Sequence, residues 1–89
     1  GRSAEGGGAD MEGVDAALLA TLKTLRLRLA KERQVPAYVV FSDRTLIDMA
    51  GRRPRDLDAF AQVNGVGEAK LREFGAIFLS AIAAHESGA

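Results

Sequence analysis

Asp15-Ala16-Ala17-Leu18-Leu19-Ala20-Thr21-Leu22-Lys23-Thr24-Leu25-Arg26-Leu27-Arg28-Leu29-Ala30-Lys31-Glu32-Arg33-Gln34 is the stretch that decides how this chain folds. Within it Leu18, Leu22, Leu25 and Leu29 advance by four, three and four residues. At about 100° per residue that spacing confines them to one narrow stripe, so it predicts an amphipathic helix over 15–34 that must bury one face along its whole length. Pro36 sets the end, because proline disfavours helical geometry in the residue before it and cannot donate a helical hydrogen bond.

Working outward from that helix, Val35 to Phe41 is a short apolar connector without alternation. A strand there would have no partner elsewhere in the sequence, which leaves irregular chain or a single tight turn. Ser42 or Asp43 caps a second helix whose buried face is Leu46, Ile47, Met49 and Ala50, and Gly51 stops it. Pro54 opens a shorter third helix anchored by Leu57, Phe60 and Ala61. Asn64-Gly65-Val66-Gly67 is the clearest turn, followed by a helix from Gly67 or Glu68. Leu71, Phe74, Phe78 and Ile82 keep helical spacing through Gly75, which reads as a C-terminal cap between a fourth and a fifth helix. The expected fold is all-α, a compact bundle of five helices.

With 89 residues, 47% of them hydrophobic, the chain can build one core and no second. Cysteine is absent, so helix packing alone must hold the fold, as suits a reducing compartment. No apolar run approaches the roughly 18 residues of a membrane span, and no membrane partner is expected. Residues 1–13 hold five of the ten glycines and read as flexible linker, with the domain proper over 14–87. A first residue of Gly, not Met, reads as an excised fragment with Gly1 and Arg2 as a tag remnant.

Net charge is zero, twelve basic groups against twelve acidic, which excludes a strong overall pull toward nucleic acid or lipid. Position tells more than the total. The first helix carries Lys23, Arg26, Arg28, Lys31 and Arg33 off its leucine stripe, against only Asp15 and Glu32. Tyr38, the single tyrosine, follows just beyond it. An aromatic ring beside basic groups suits single-stranded nucleic acid, the ring stacking on bases and the cations pairing with phosphates. An ordinary solvated face with Tyr38 packed at its edge fits the same residues, and both readings stay open. Gly65, Gly67 and Lys70 form a possible phosphate contact, exposed amides at a helix start with a nearby ammonium. Against it, the two glycines serve a tight turn and Val66 fills the core. Leu27 lies opposite the leucine stripe, in the middle of the basic face, and marks a possible protein contact.

Catalytic and metal-ligating groups are scarce. His85 is the only histidine and is expected to face solvent near the last helix's C-terminus. Asp43, Asp48, Asp56 and Asp58 alternate with Arg44, Arg52, Arg53 and Arg55, a self-neutralising surface and not a metal site. No catalytic residue, cofactor or metal is expected.

Val35-Pro36-Ala37-Tyr38-Val39-Val40-Phe41, Ser42-Asp43 with Thr45-Leu46-Ile47-Asp48-Met49-Ala50, and Val63-Asn64-Gly65-Val66-Gly67 with Lys70, Leu71, Phe74 and Gly75 together resemble the HRDC (helicase and RNase D C-terminal) domain, over about residues 15–86. The resemblance implies a five-helix, non-catalytic accessory module of a RecQ-type DNA helicase in the bacterial cytoplasm, associated with the nucleoid. It implies weak binding of single-stranded or branched DNA through Tyr38, Lys23, Arg26 and Arg33, with Arg44 a plausible neighbour. The other reading is a protein-interaction or regulatory module that docks on the helicase core or neighbouring domains, or on itself.

Overall fold

The computed structural model describes residues 14–88, and the expected linker over 1–13 lies outside them. Five helices follow in order: α1 (Ala16–Arg33), α2 (Ala37–Val40), α3 (Asp43–Arg52), α4 (Leu57–Phe60) and α5 (Glu68–Gly88), with no strand among the described residues. None of the described helices is long and apolar enough to cross a membrane.

α1 begins where the Asp15 carboxylate accepts the Leu18 N–H at 3.0 Å, satisfying one of the donors that a helix start leaves unpaired. It ends at Gln34, held in the left-handed region at φ 58°. There the Gln34 N–H reaches Lys31 O and the Val35 N–H reaches Ala30 O, a paired closure that lets the chain turn away before Pro36. The leucine stripe is buried as its spacing requires, joined by Leu19 and Ala30. α1 packs on α2, α3 and α5, and α4 packs on α5, so the two long helices form the frame. All four phenylalanines close the core between them: the Phe41 ring meets Phe78 edge-on at 5.1 Å and Phe74 at 5.7 Å, and Phe60 leans on both Phe41 and Phe78.

The five helices are not the five the spacing suggested. The connector over Val35–Phe41 contains one turn of helix, α2, which takes the place of the expected break at Gly75 in the tally. α5 runs unbroken through Gly75, because that glycine is a packing site: a Cβ there would lie 2.9 Å from Leu57 Cδ2. α4 starts at Leu57 with Asp56 as its cap, not at Pro54, which is buried ahead of it. Leu57 itself is half exposed, and Phe60 carries the burial of that turn. His85 does not face open solvent; its Nε2 sits 3.2 Å from Asp15 Oδ2, tying the end of α5 to the start of α1.

α3 is joined to the 63–67 turn by two contacts. Asp48 Oδ2 accepts the Asn64 N–H and the Arg52 Nε–H, each at 2.8 Å. Gly65 takes φ +89° directly against Thr45, so that a Cβ would lie 2.3 Å from the buried hydroxyl. That hydroxyl is in turn fixed by Ser42, the N-cap of α3.

The two packed glycines should respond differently to alanine. Gly65→Ala adds left-handed strain to a clash with a fixed hydroxyl and is expected to cost about 3 kcal/mol. Gly75→Ala meets the side-chain ends of Leu57, at 2.9 Å, and Leu71, at 3.4 Å, which can give way, and it gains helix propensity, so it should stay within about 1 kcal/mol of the parent. Urea unfolding of both variants checks the order; the reverse order would contradict the packing described.

Acid should loosen the same joints. The Leu18 N–H, and after it His85, hold the Asp15 carboxyl below its usual range. Burial opposes ionisation of Asp48, yet the Asn64 N–H and Arg52 outweigh it and its pKa is also lowered. A carboxyl whose folded pKa lies below its unfolded value adds stability that is complete above about pH 4 and is lost as pH falls through the folded value. The urea midpoint should therefore be steady from neutrality to about pH 5 and drop below about pH 4, and Asp48→Asn should make that drop shallower.

Candidate nucleic-acid interface

A four-residue helix cannot sustain itself, since nucleating a turn fixes several dihedrals for a single hydrogen bond. α2 is held from outside. Its carbonyl end is closed by two cations: Lys70 from α5 donates to Val39 O and Val40 O, the latter at 3.2 Å, while Arg26 from α1 donates through Nη1 to Phe41 O at 2.9 Å. Positive groups suit a helix C-terminus on both hydrogen-bonding and dipole grounds. Val40 and Phe41 plug into the core beneath, and the Lys70 ammonium lies about 6 Å from the Phe41 and Phe74 rings. The second arm of Arg26, Nη2, pairs with Asp43 Oδ1 at 2.8 Å, so this one guanidinium fastens α1 to both α2 and the start of α3.

With Val40 and Phe41 turned inward, the other side of the turn faces out. Tyr38 is 71% exposed and Val39 39% exposed. The tyrosine ring therefore stands on a backbone secured at three successive carbonyls. Sequence reasoning passed over Val39, whose outward position follows only once the connector is known to be a turn of helix.

The cations proposed alongside Tyr38 fall into two groups. Lys23 and Arg44 are exposed and form no ion pair among the described residues. Both border Asp43, whose carboxyl is held below the usual range first by its Arg26 hydrogen bond, then by the Arg26 charge, with a smaller contribution from Lys23. Arg26, expected to face water, is instead committed inside the chain: its side chain is only 13% exposed and its Nε is buried without an acceptor. Arg33 is half committed, with Nε 3.0 Å from Glu73 Oε2 and its guanidinium over the Phe74 ring at 4.8 Å.

The structure does not bring Gly65, Gly67 and Lys70 together as a phosphate cradle. The Lys70 ammonium is turned to the α2 carbonyls, Gly65 is packed on Thr45, and the first turn of α5 carries Glu68, paired with Arg72 at 3.1 Å. Gly67 has open space around it. Leu27 is 50% exposed on the basic face of α1, as its position in the sequence required. The Asp and Arg residues over 43–58 neutralise one another only at Asp48–Arg52; Asp43 goes to Arg26, and Arg53 and Arg55 reach Glu86 on α5.

Parts of known DNA helicases are similar to this chain in sequence. ATP-dependent DNA helicase UvrD2 of Mycobacterium tuberculosis is 46% identical over 69 residues, 78% of this chain and 10% of the helicase. ATP-dependent DNA helicase RecQ of Bacillus subtilis is 41% identical over 68 residues, 76% of this chain and 12% of that protein. The chain thus spans about a tenth of the length of these curated relatives. Among solved structures, the third HRDC domain of D. radiodurans RecQ superposes with a TM-score of 0.73 at 42% identity, covering 75% of this chain and 88% of the other. A family model for the HRDC domain matches residues 15–82, from the α1 cap to the last buried isoleucine of α5. With its helical bundle, its α2 turn and this match over most of its length, the chain belongs to the HRDC domain family.

Proposed function

We propose that this domain is a non-catalytic accessory module of a DNA helicase that holds single-stranded DNA weakly, Tyr38 stacking on a base while Lys23 and Arg44 meet the flanking phosphates. Arg33 joins them to the extent that its bond to Glu73 yields. The observation that carries this reading is the 71% exposure of Tyr38 on a turn fixed by Arg26 and Lys70, since an aromatic ring so exposed contributes little to the core and is pre-positioned for stacking. Affinity is low because few phosphates are neutralised and residues 14–88 carry only a small positive excess, eleven Lys and Arg against nine Asp and Glu. ATP hydrolysis and strand separation belong to a motor outside this segment, and the domain adds a handhold on the strand beside it, in the bacterial nucleoid.

A second reading rests on Leu27, half exposed with Lys23 and Lys31 one turn away on either side. An apolar side chain in the middle of a charged face suits docking on the helicase core or a sister domain, or self-association, and mixed charges around it would set the partner.

Fluorescence-anisotropy titration with a short labelled oligothymidine separates the two. Under the first reading, Tyr38→Ala weakens binding about tenfold, the cost of one stacked base. Lys23→Ala and Arg44→Ala each lower the slope of log affinity against log salt by about one. Arg26→Ala destabilises the fold by about 3 kcal/mol, because it strips a part-buried charge pair and a helix cap together. Binding that is absent at low salt, with Leu27→Glu altering the sedimentation of the domain, would favour the second reading.

A further inference from the structure

Beside Arg44, a cleft of about 450 Å³ opens between α3 and the 63–67 turn, lined by Arg44, Ile47, Asp48 and Asn64. Each wall offers a different interaction. Ile47 is half buried and gives an apolar floor. Asp48 is fixed in place through Oδ2, which takes both the Asn64 N–H and the Arg52 Nε–H, while Oδ1 accepts no hydrogen bond among the described residues. The Asn64 side-chain amide is exposed and likewise makes no hydrogen bond among the described residues. Arg44 is exposed at the rim without an ion-pair partner among them.

An apolar floor, a planar cation at the rim, a spare carboxylate oxygen and a free amide suit an unstacked nucleobase: an aliphatic side chain to pack beneath it, a guanidinium to stack or reach its phosphate, and groups for its hydrogen-bonding edge. We infer that this cleft is a base-reading subsite, taking one nucleobase of the strand whose neighbouring base stacks on Tyr38, and that it prefers bases with an exocyclic amino group over thymine. This inference rests on the single-strand reading above and gives it a sequence preference. Only Phe41 and Ser42 separate α2, which carries Tyr38, from α3, whose first turn carries Arg44 at the cleft.

The preference follows from the carboxylate. An ionised Asp48 can only accept hydrogen bonds. Cytosine and adenine present an amino group to it, and guanine presents an amino group next to a ring N–H. Thymine places carbonyl oxygens on either side of its one N–H, and those oxygens face the carboxylate lone pairs. Asn64 supplies a donor for the ring nitrogen or carbonyl beside the amino group, as side-chain amides do at base edges. Because the cleft is open to water, discrimination is modest, about fivefold between cytosine and thymine.

The test compares anisotropy titrations of the intact domain with oligodeoxycytidine and oligothymidine of equal length. The expected result is about fivefold tighter binding of the cytidine strand, with Asn64→Ala and Asp48→Asn each bringing the two affinities together. In those variants the thymidine strand should still bind, and still depend on Tyr38. Equal affinities in the parent domain, with Tyr38 still required, would overturn the subsite and leave the stacking reading in place. A preference for cytidine that survives both substitutions would place base reading elsewhere and overturn it as well. Failure of either strand to bind at low salt would remove the single-strand reading and this inference with it.

Discussion

Three successive carbonyls, those of Val39, Val40 and Phe41, are the point on which the shape of this domain turns. Left alone they would be the unsatisfied end of a helix too short to persist. Lys70 from the last helix and Arg26 from the first converge on them, and Arg26 continues to Asp43 at the start of α3. This clamp converts an apolar connector into a rigid turn with an inside and an outside: Val40 and Phe41 enter the core, and Tyr38 and Val39 are left in water. The proposed site follows from the clamp, because a stacking ring would gain most where its backbone need not be ordered on binding.

The clamp also bears on how a chain of zero net charge could present the nucleic-acid face proposed for it. Most cations here are spent within the chain. Arg28, Arg52, Arg53, Arg55 and Arg72 face carboxylates, and Arg26 and Lys70 are turned to backbone. Lys23, Lys31 and Arg44 form no ion pair among the described residues; of these, Lys23 acts on Asp43 at the start of α3 and Arg44 follows Asp43 in the chain. On the proposed reading, a small local excess is what a strand would meet, and this would keep the contact weak and sensitive to salt.

Much of the fold was legible from residue spacing. The leucine stripe of α1, the Ser42 cap, the burial of Leu46, Met49 and Ala50 on α3 and the turn at Asn64–Gly67 stand where periodicity and turn chemistry placed them, whereas Ile47 is only half buried and α3 runs through Gly51 to Arg52. What spacing could not reveal depends on distant partners. Gly75 looks like a helix end because glycine commonly is one, and only the approach of Leu57 from α4 shows that it is a contact. α2 hides because nothing local favours a helix of four residues; its support comes from positions 26 and 70. Arg26 and Arg33 look alike on a helical wheel as two cations off the apolar stripe, yet one is sunk under α2 and the other reaches Glu73 and Phe74. Tyr38 was legible as a candidate by its type and neighbours, while its exposure rests on contacts that span the whole chain. His85 was misplaced for the same reason, its partner being Asp15 at the opposite end of the domain.

The account stands most directly on where a strand touches the folded domain, and amide chemical-shift mapping by NMR during titration with a short oligothymidine reads that surface. The expected map is one contiguous patch over Lys23, Tyr38, Val39 and Arg44, with the groove between α1 and α5 around Ala20, Thr24, Ala76 and Ser80 unmoved. Shifts centred on that groove, or a saturating titration that leaves Tyr38 and Val39 undisturbed, would contradict the claim that the clamped turn is the working surface.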